Sequence, residues 1–441
     1  MDNTILIFML MTASLIFCIF AGYYLFAVLG GLGFLFGLIF WGTDVANVVY
    51  MEYYGAVRNY TLLAIPLFVF MGNMLQQAGV AEKLFEKLGA VLGGLKGGLA
   101  LSAMLISILF AASTGIVGAS VVTMGVLCLP AMLRRGYNKG FASGAICAGG
   151  TLGILIPPSI MLVVYGATAG LSVGKLFYGA MIPGILMGLL YMVYIVIIAN
   201  VKPDYGPGMP IEELRGISSW QKITGVCLHV VPVLGLILSV LGTIWFGIAP
   251  PTEAAAIGAF AAVLLALAYG KFTYKNLRAA LHDTVTTSSM IFAIIIFAGM
   301  FVAVFTRLGG GDVINRALLS LPVGKWPLFV MMMIGVFILG MFMDWVASIL
   351  IIIPIVTPIA GSLGFDAVWF AIAVCVVYQT SFLTPPFAYS IFYLKGVAPP
   401  EVSTNDIIGG IWPYIGVQVA TLILVVIFPE LVTWLPGKMV G

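Results

Sequence analysis

Two double prolines inside apolar segments are the residues whose chemistry is easiest to specify. They are Pro157-Pro158 in the first half of the chain and Pro385-Pro386 in the second. Proline has no backbone N–H and forces extended geometry on the residue before it, so carbonyl oxygens of the preceding turn lose their helical partners. Such oxygens, with nearby hydroxyls, are ligands for hard cations such as sodium. Each segment therefore predicts a cation site; the alternative is that its prolines only kink a helix against a neighbour.

A constant spacing relates the two halves of the chain. Adding 228 to a first-half position recovers the same residue in the second half, with a two-residue insertion before the last pair. The pairs are Ser120 and Ser348, Pro130 and Pro358, Gly136 and Gly364, Cys147 and Cys375, the two double prolines, and then Pro183 and Pro413. A constant offset over this span indicates an internal repeat, with chance alignment as the alternative. Repeats of opposite orientation with interrupted helices indicate a midplane site in a secondary transporter.

The composition indicates that these segments lie in a lipid bilayer. Of the 441 residues, 62% are hydrophobic and 8% are charged, and the mean hydropathy is +1.17. No soluble domain can bury that share of apolar side chains, because surface grows too fast relative to volume. The uncharged runs exceed the ~20 helical residues that cross a bilayer. The sequence predicts an all-α membrane protein with about ten transmembrane helices, and its uncharged stretch before Thr43 predicts an inserted anchor, not a cleaved signal peptide.

Basic residues predict two re-entrant helical hairpins. Lys96 precedes and Arg134 follows the uncharged run 97–133, so both ends of this run belong on the cytoplasmic side. A small-residue turn at 112–120 divides the run into limbs of roughly 15 residues, which reach only about 22 Å of a hydrocarbon core of about 30 Å. Each later span reverses the side of the membrane on which the chain emerges. Following the spans from the first hairpin places both ends of the second hairpin, 326–365, on the side opposite to the cytoplasm.

These elements divide the chain into four predicted parts. Amphipathic patterns over residues 80–92 and 274–281 are typical of helices that lie along the membrane surface. The parts are 1–96, N-terminal scaffold helices and an interfacial arm helix; 97–200, a first transport half-repeat with hairpin 97–133 and broken helix 141–174; 201–325, a cytoplasmic loop, scaffold helices and an arm; and 326–441, a second transport half-repeat with hairpin 326–365, broken helix 367–394 and a C-terminal helix.

Only Glu253 and Asp344 are expected to lie at membrane depth, where a charge costs on the order of 3 kcal/mol. Asp344 falls at the turn of the second hairpin, where it could cap a hairpin helix or help to bind cation or substrate. Glu253 follows a proline pair and is interpreted as a first-turn residue that the helix dipole stabilises.

Several function classes are excluded by what the sequence does not contain. There is no GxxxxGK[ST] or HExxH motif, and the five cysteines form no CxxC pair, so neither an ATP motor nor a zinc site is indicated. The net charge of +3 is too small to suggest binding to nucleic acid. A membrane enzyme would need a converging acid, base or metal set, which two histidines and two intramembrane carboxylates do not supply. The sequence predicts that the chain is not an enzyme.

Four motifs resemble one transporter family. They are GTLGILIPPS at 150–159, IPLFVFMGN at 65–73, PTEA at 251–254 and TPP at 384–386. Together they resemble the DctM-type large permease, or M subunit, of tripartite ATP-independent periplasmic (TRAP) transporters. The likeness extends from about residue 61 to residue 413, nearly the whole chain.

The resemblance implies a multi-pass subunit of the inner (cytoplasmic) membrane of a bacterial or archaeal cell. Such subunits work with a small four-helix DctQ-type membrane subunit and a DctP-type periplasmic substrate-binding protein, which delivers a small organic anion, usually a carboxylate. They couple import to Na+ and are similar to elevator proteins of the ion-transporter superfamily. The alternative is a binding-protein-independent dicarboxylate or citrate symporter of the same superfamily.

The resemblance also implies site residues, because sodium sites in the family lie between each hairpin tip and the neighbouring broken helix. The sodium candidates are Ser113, Thr114, Gly115, Gly153 and Pro157 at the first tip, and Met343, Asp344, Thr380 and Thr384 at the second. Further candidates, for contact with the substrate, are Ser120, Thr151, Ser159, Ser348 and Ser381. The chain departs from the family at its first tip, where Ser-Thr-Gly replaces a Ser-Gly-Ser-type sequence, and at Phe387-Ala388, where Pro-Pro-x-Gly is usual.

Overall fold

The computed structural model describes residues 3–115, 117–210 and 219–439, which form a helical protein. The first-half helices are α1 (Asn3–Phe20), α2 (Leu25–Trp41), α3 (Val45–Arg58), α4 (Ala64–Gln77), α5 (Val80–Leu92), α6 (Gly98–Thr114), α7 (Val117–Arg134), α8 (Lys139–Thr151), α9 (Ile160–Ala169) and α10 (Val173–Val201). The second-half helices are α11 (Ser219–Trp245), α12 (Pro251–Ala268), α13 (Tyr274–Arg307), α14 (Gly310–Leu319), α15 (Lys325–Phe342), α16 (Trp345–Ser362), α17 (Ala367–Leu383), α18 (Tyr389–Lys395), α19 (Thr404–Ile427) and α20 (Glu430–Thr433).

The apolar helices are numerous and long enough for a multi-pass membrane protein. Nine helical segments of the described residues could cross a bilayer, or ten if the bent pair α4 and α5 counts as one span. This confirms the prediction of an all-α membrane protein with about ten spans. The bend between α4 and α5 is 57°, so the amphipathic helix α5 leaves the direction of the span before it.

The internal repeat extends to the helix boundaries. Adding 228 to the bounds of α7, 117 and 134, gives 345 and 362, the bounds of α16. The caps of the two broken helices coincide as well. The Asn138 side chain accepts a hydrogen bond from the Phe141 N–H at 3.0 Å, and the Asp366 carboxylate accepts one from the Trp369 N–H at 2.8 Å. Both pairs differ by 228 positions, so equivalent sequence has folded into equivalent structure in the two halves.

Glycines set how closely the N-terminal helices approach α13. A Cβ atom on Gly30 would lie 2.5 Å from the ring of Phe297, and one on Gly33 would lie 3.1 Å from Cα of Phe301. In a bilayer the hydrophobic effect does not drive helices together, so close packing of small residues holds them. Helix α2 therefore packs along α13 through its glycine face.

A second glycine contact joins the C-terminal helix to the first broken helix. A Cβ on Gly410 in α19 would lie 1.9 Å from the backbone oxygen of Gly140 in α8, and one on Gly144 would lie 2.2 Å from the backbone oxygen of Gly410. No side chain fits between these backbones. The crossing ties the end of the second half-repeat to the middle of the first, and so positions the first double proline.

Two expectations about helix lengths were wrong. Helix α6 has 17 residues and α7 has 18, so each hairpin limb is longer than the roughly 15 residues expected. The reason is that most of the expected turn, 112–120, is helical: α6 ends at Thr114 and α7 begins at Val117. Residues 274–281 do not form a separate surface helix. They are the first two turns of α13, which is continuous over 34 residues, since no glycine or proline interrupts the chain there.

Candidate functional site

The first hairpin tip lies against the first proline-broken segment. Gly115 ends α6 in the left-handed conformation, with φ of 62°, which glycine adopts without strain. A Cβ at this position would lie 3.2 Å from the Ile160 backbone nitrogen, at the start of α9. The tip and the break are therefore in direct backbone contact.

The remaining first-tip candidates lie on both sides of this contact. Gly153 belongs to the short 3-10 turn Leu152–Ile154 that follows α8, and Pro157 is buried beyond it. Ser113 and Thr114 occupy the last turn of α6, but their side chains lie outside the described part of the structure. Gly115 and the broken segment are thus brought together, and the oxygen atoms that Gly115, Gly153 and Pro157 could offer to a cation are those of their backbones.

The second tip approaches the second broken segment in a similar way. A Cβ on Gly340 in α15 would lie 2.8 Å from the Ser381 hydroxyl oxygen in α17. The rings of Phe342 and Phe387 contact each other, with centroids 6.0 Å apart. Phe20, at the end of α1, contacts both rings at 5.5 and 6.2 Å. An aromatic cluster from the N-terminal helix, the hairpin tip and the break therefore covers this side of the site.

Asp344 has two kinds of neighbour at the second tip. Its carboxylate accepts a hydrogen bond from the Val346 N–H at 2.9 Å and so caps α16. It also lies within electrostatic range of the Tyr389 and Tyr393 hydroxyls in α18. Met343, the preceding residue, is buried and ends α15. Asp344 is therefore a helix cap, and its carboxylate also lies near the segment after the second break.

Serine hydroxyls satisfy part of what the double prolines release. The Ser159 hydroxyl donates to the Ile154 carbonyl at 2.6 Å, and the Ser390 hydroxyl donates to the Phe382 carbonyl at 2.9 Å. Each bond spans a break. The chain itself therefore supplies a donor to one carbonyl at each break, and the binding of a cation by the other oxygens stays a prediction.

Thr380 and Thr384 lie at the C-terminal end of α17 and bond to its backbone. The Thr384 hydroxyl donates to the Thr380 carbonyl at 2.7 Å, and the Thr380 hydroxyl to the Val376 carbonyl at 3.4 Å. Both residues line an apolar groove of about 510 Å³ between α15, α17 and α19. Each hydroxyl keeps a lone pair that could bind a cation.

The five candidates for substrate contact are all buried, and the hydrogen bonds of Thr151, Ser159, Ser348 and Ser381 lie within the protein. Thr151 donates to the Ala148 carbonyl at 2.8 Å, and Ser348 accepts from the Tyr378 hydroxyl at 3.0 Å. Ser381 donates to the Phe337 carbonyl at 3.1 Å and so joins α15 to α17. Ser159 bridges the first break, as above, and Ser120 is buried in α7. Their role with the substrate stays a prediction.

The two breaks belong to one core. The Cys147 thiol in α8 lies 3.6 Å from the Ser390 carbonyl oxygen in α18, and the turn Leu152–Ile154 contacts α17. Helix α18 also crosses the first hairpin, because a Cβ on Gly118 would lie 3.1 Å from Cζ of Tyr393. Both tips and both breaks therefore converge.

Sequence reasoning missed Tyr389, Tyr393 and Ser390, which the structure places at this convergence. A signal for Tyr393 was present, because Tyr165 lies 228 positions before it. The position of Glu253, in contrast, agrees with its structural interpretation, since it lies in the first turn of α12.

A cavity of about 290 Å³ lies between helices of the predicted scaffold and helices of the predicted transport halves. Glu52 of α3 and Gly299 of α13 line one side, and Thr168 of α9 and Pro354 of α16 line the other. The half-buried Glu52 carboxylate occupies the space that a side chain on Gly299 would fill, with Oε2 2.7 Å from the ideal Cβ position. The helices that carry the tips and breaks are therefore not packed tightly against α3 and α13 here.

Comparison with solved structures supports the fold. The chain is similar to the YdaH transporter of Alcanivorax borkumensis, with a TM-score of 0.58, 16% identity and 89% of each chain covered. At that identity the likeness concerns the fold alone, which is that of a membrane transporter.

Comparison with sequences identifies the family. The C4-dicarboxylate TRAP transporter large permease protein DctM of Vibrio cholerae is 31% identical over 91% of this chain and 92% of its own length. The protein of the same description from Pseudomonas aeruginosa is 34% identical, again over 91% and 92%. These relatives are transporter permeases, so the chain is not an enzyme. Because the family described as "Tripartite ATP-independent periplasmic transporter, DctM component" matches residues 6–431, the chain belongs to the DctM family of large TRAP transporter permeases.

Proposed function

We propose that this permease imports a small organic anion, a carboxylate, together with Na+, by an elevator-type alternating-access movement. The observation that supports this most directly is the convergence of two hairpin tips on two proline-broken helices. Gly115 meets the backbone at Ile160, and Phe342 meets Phe387. Tips and breaks at bilayer depth have irregular backbone, which is tolerated in a membrane where it faces protein or a wet cavity.

The oxygen atoms at the two tips are ligands of the kind that sodium binds. At the first tip they are the backbone oxygens of Gly115, Gly153 and Pro157, and the candidates Ser113 and Thr114 directly precede Gly115 in the sequence. At the second tip, Met343 and Asp344 supply a carbonyl and a carboxylate, and Thr380 and Thr384 supply hydroxyls. Hard oxygen donors of this kind suit a hard cation. Sodium would be co-substrate, bound from the same side as the organic anion.

The anion belongs at the same centre, because helices begin there. Helices α7 and α16 begin at the two tips, and α9 and α18 begin after the two breaks. Helix N-termini favour negative charge. The two relatives described above are named for C4-dicarboxylates, so a small dicarboxylate such as succinate is the first substrate to test.

We further propose the movement and the partners. The cavity beside Glu52 lies where the tip-bearing helices meet α3 and α13, and incomplete packing at this boundary supports an elevator mechanism. The partners would be a small four-helix DctQ-type subunit and a DctP-type periplasmic binding protein in the inner membrane of a bacterial or archaeal cell. The alternative is a carrier that works without a binding protein.

Reconstitution into proteoliposomes with both partner proteins tests this function. We expect radiolabelled succinate to accumulate only when an inward sodium gradient is imposed, because the gradient is the energy source proposed for transport. Uptake that is equal with choline in place of sodium would contradict the coupling. Equal uptake with and without the binding protein would favour the alternative carrier.

Substituting Thr384 tests one proposed sodium ligand. Thr384→Val keeps the side-chain shape and removes the hydroxyl, so we expect the half-saturating sodium concentration for uptake to rise about 10-fold. The matched control is Thr421→Val. Thr421 is buried in α19 and donates to the Val417 carbonyl at 2.9 Å, the same local bond that Thr384 makes. An unchanged sodium titration in Thr384→Val would remove this hydroxyl from the site.

A further inference from the structure

The two half-repeats place a tyrosine at the same position after each break. Tyr165 in α9 and Tyr393 in α18 differ by 228 positions. Each lies beside the second limb of the opposite hairpin: Tyr165 beside Thr357 of α16, and Tyr393 across Gly118 of α7. The pair is therefore a structural consequence of the repeat, in which each broken helix touches the other half's hairpin.

The environments of the two hydroxyls differ. Tyr165 is completely buried, with 0% of its surface exposed, whereas Tyr393 is 40% exposed. No described residue accepts a hydrogen bond from the Tyr393 hydroxyl, and the buried Tyr165 hydroxyl likewise has no partner among the described residues. The two hydroxyls therefore differ in access: only the exposed one can take a hydrogen-bond partner from outside the protein. One member of the pair is sealed by packing, and the other is open.

Tyr393 has a neighbour at each of the two tips. Cζ, which bears the hydroxyl, is the ring atom nearest to Gly118 at the first tip, 3.1 Å from the ideal Cβ position there. Asp344 at the second tip lies within electrostatic range of the same side chain. The hydroxyl-bearing end of the Tyr393 ring thus packs against the second residue of α7, within electrostatic range of the carboxylate that caps α16. A molecule held between the tips would touch it.

We propose that Tyr393 is a substrate-binding residue whose hydroxyl donates a hydrogen bond to a carboxylate of the transported anion. This rests on the proposed function, in which the anion is bound between the tips. A phenol is a donor that stays neutral at physiological pH, and a hydrogen bond to a carboxylate is stronger than one between neutral groups. Because the phenol is neutral, Tyr393 can bind the anion without placing another charged side chain near Asp344.

Binding of succinate to the purified permease with its small subunit tests the proposal. Binding is measured at saturating sodium and without the periplasmic protein, because that protein would otherwise determine the apparent affinity. Tyr393→Phe removes one oxygen and keeps the ring on Gly118. We expect the dissociation constant for succinate to rise about 10-fold or more, while the sodium midpoint and the thermal unfolding midpoint stay the same.

The matched control is Tyr165→Phe, the same change at the equivalent position, and we expect its succinate affinity to equal that of the wild type. Wild-type affinity in Tyr393→Phe, equal losses in both variants, or no succinate binding to the wild type would overturn the proposal. Failure of the sodium coupling is distinguishable, since it would appear as gradient-independent uptake in proteoliposomes and leave the difference between the two tyrosine variants unchanged.

Discussion

Replacing Gly410 with alanine is expected to prevent stable folding of this permease. In the folded protein the new Cβ would lie 1.9 Å from the Gly140 backbone oxygen and 2.5 Å from its carbonyl carbon. Backbone atoms cannot move aside as a side chain can, so α8 and α19 would have to separate by about 1–2 Å to restore normal contact distances. We expect a loss of about 3 kcal/mol or more in the free energy of unfolding.

The neighbouring glycine provides the control for this prediction. A Cβ on Gly409 would have no atom within 4 Å, and Gly409→Ala exchanges the same residue types in the same helix. Alanine is the better helix former, so this variant should be as stable as the wild type or slightly more stable. The measurement is the yield of monodisperse protein in detergent and its thermal unfolding midpoint. Equal stability of the two variants would show that the helix crossing is not as close as described.

Replacing Asp344 with asparagine is expected to reduce sodium-driven uptake at least 10-fold without unfolding the protein. Asparagine caps helices about as well as aspartate, so the bond from the Val346 N–H is retained while the charge is lost. A carboxylate at membrane depth is costly to keep. If it contributes to cation binding at the second tip, removing its charge weakens that binding. The measurement is initial succinate uptake as a function of sodium concentration.

Asp366 supplies the matched control, because it caps α17 through a bond from the Trp369 N–H and lies away from the tips. Asp366→Asn should transport like the wild type. Asp344→Ala removes both cap and charge, so it should lose about 1 kcal/mol of stability in addition to its activity. If Asp344→Asn keeps wild-type uptake and sodium dependence, Asp344 acts only as a helix cap.

The two tips differ chemically although the repeat relates them. Gly115 turns the first hairpin with a left-handed backbone and offers no side chain, whereas Met343 and Asp344 turn the second with extended backbone and a carboxylate. An equivalent fold in the two halves therefore does not produce equivalent sites. We expect the second tip to be the more sensitive to changes of charge.

Much of the architecture was predictable from the sequence. Several uncharged runs long enough to cross a bilayer cannot be buried in a soluble domain, so composition was enough to identify an all-α membrane protein. The offset of 228 between the double prolines predicted two related halves, and Asn138 and Asp366 confirm it in the caps. The division into scaffold and transport parts and the individual sodium and substrate ligands stay predictions.

What the sequence determined by itself is local: where spans begin and end, where proline interrupts them, and which positions repeat. Backbone sterics and transfer from water to lipid act on neighbouring residues, so patterns along the chain reveal them. Only the tertiary structure showed that Ser159 and Ser390 donate to carbonyls at the breaks, that the backbones of Gly140 and Gly410 touch, and that Tyr393 packs against Gly118. These depend on contacts between residues far apart in sequence, which follow from how the two halves pack against each other.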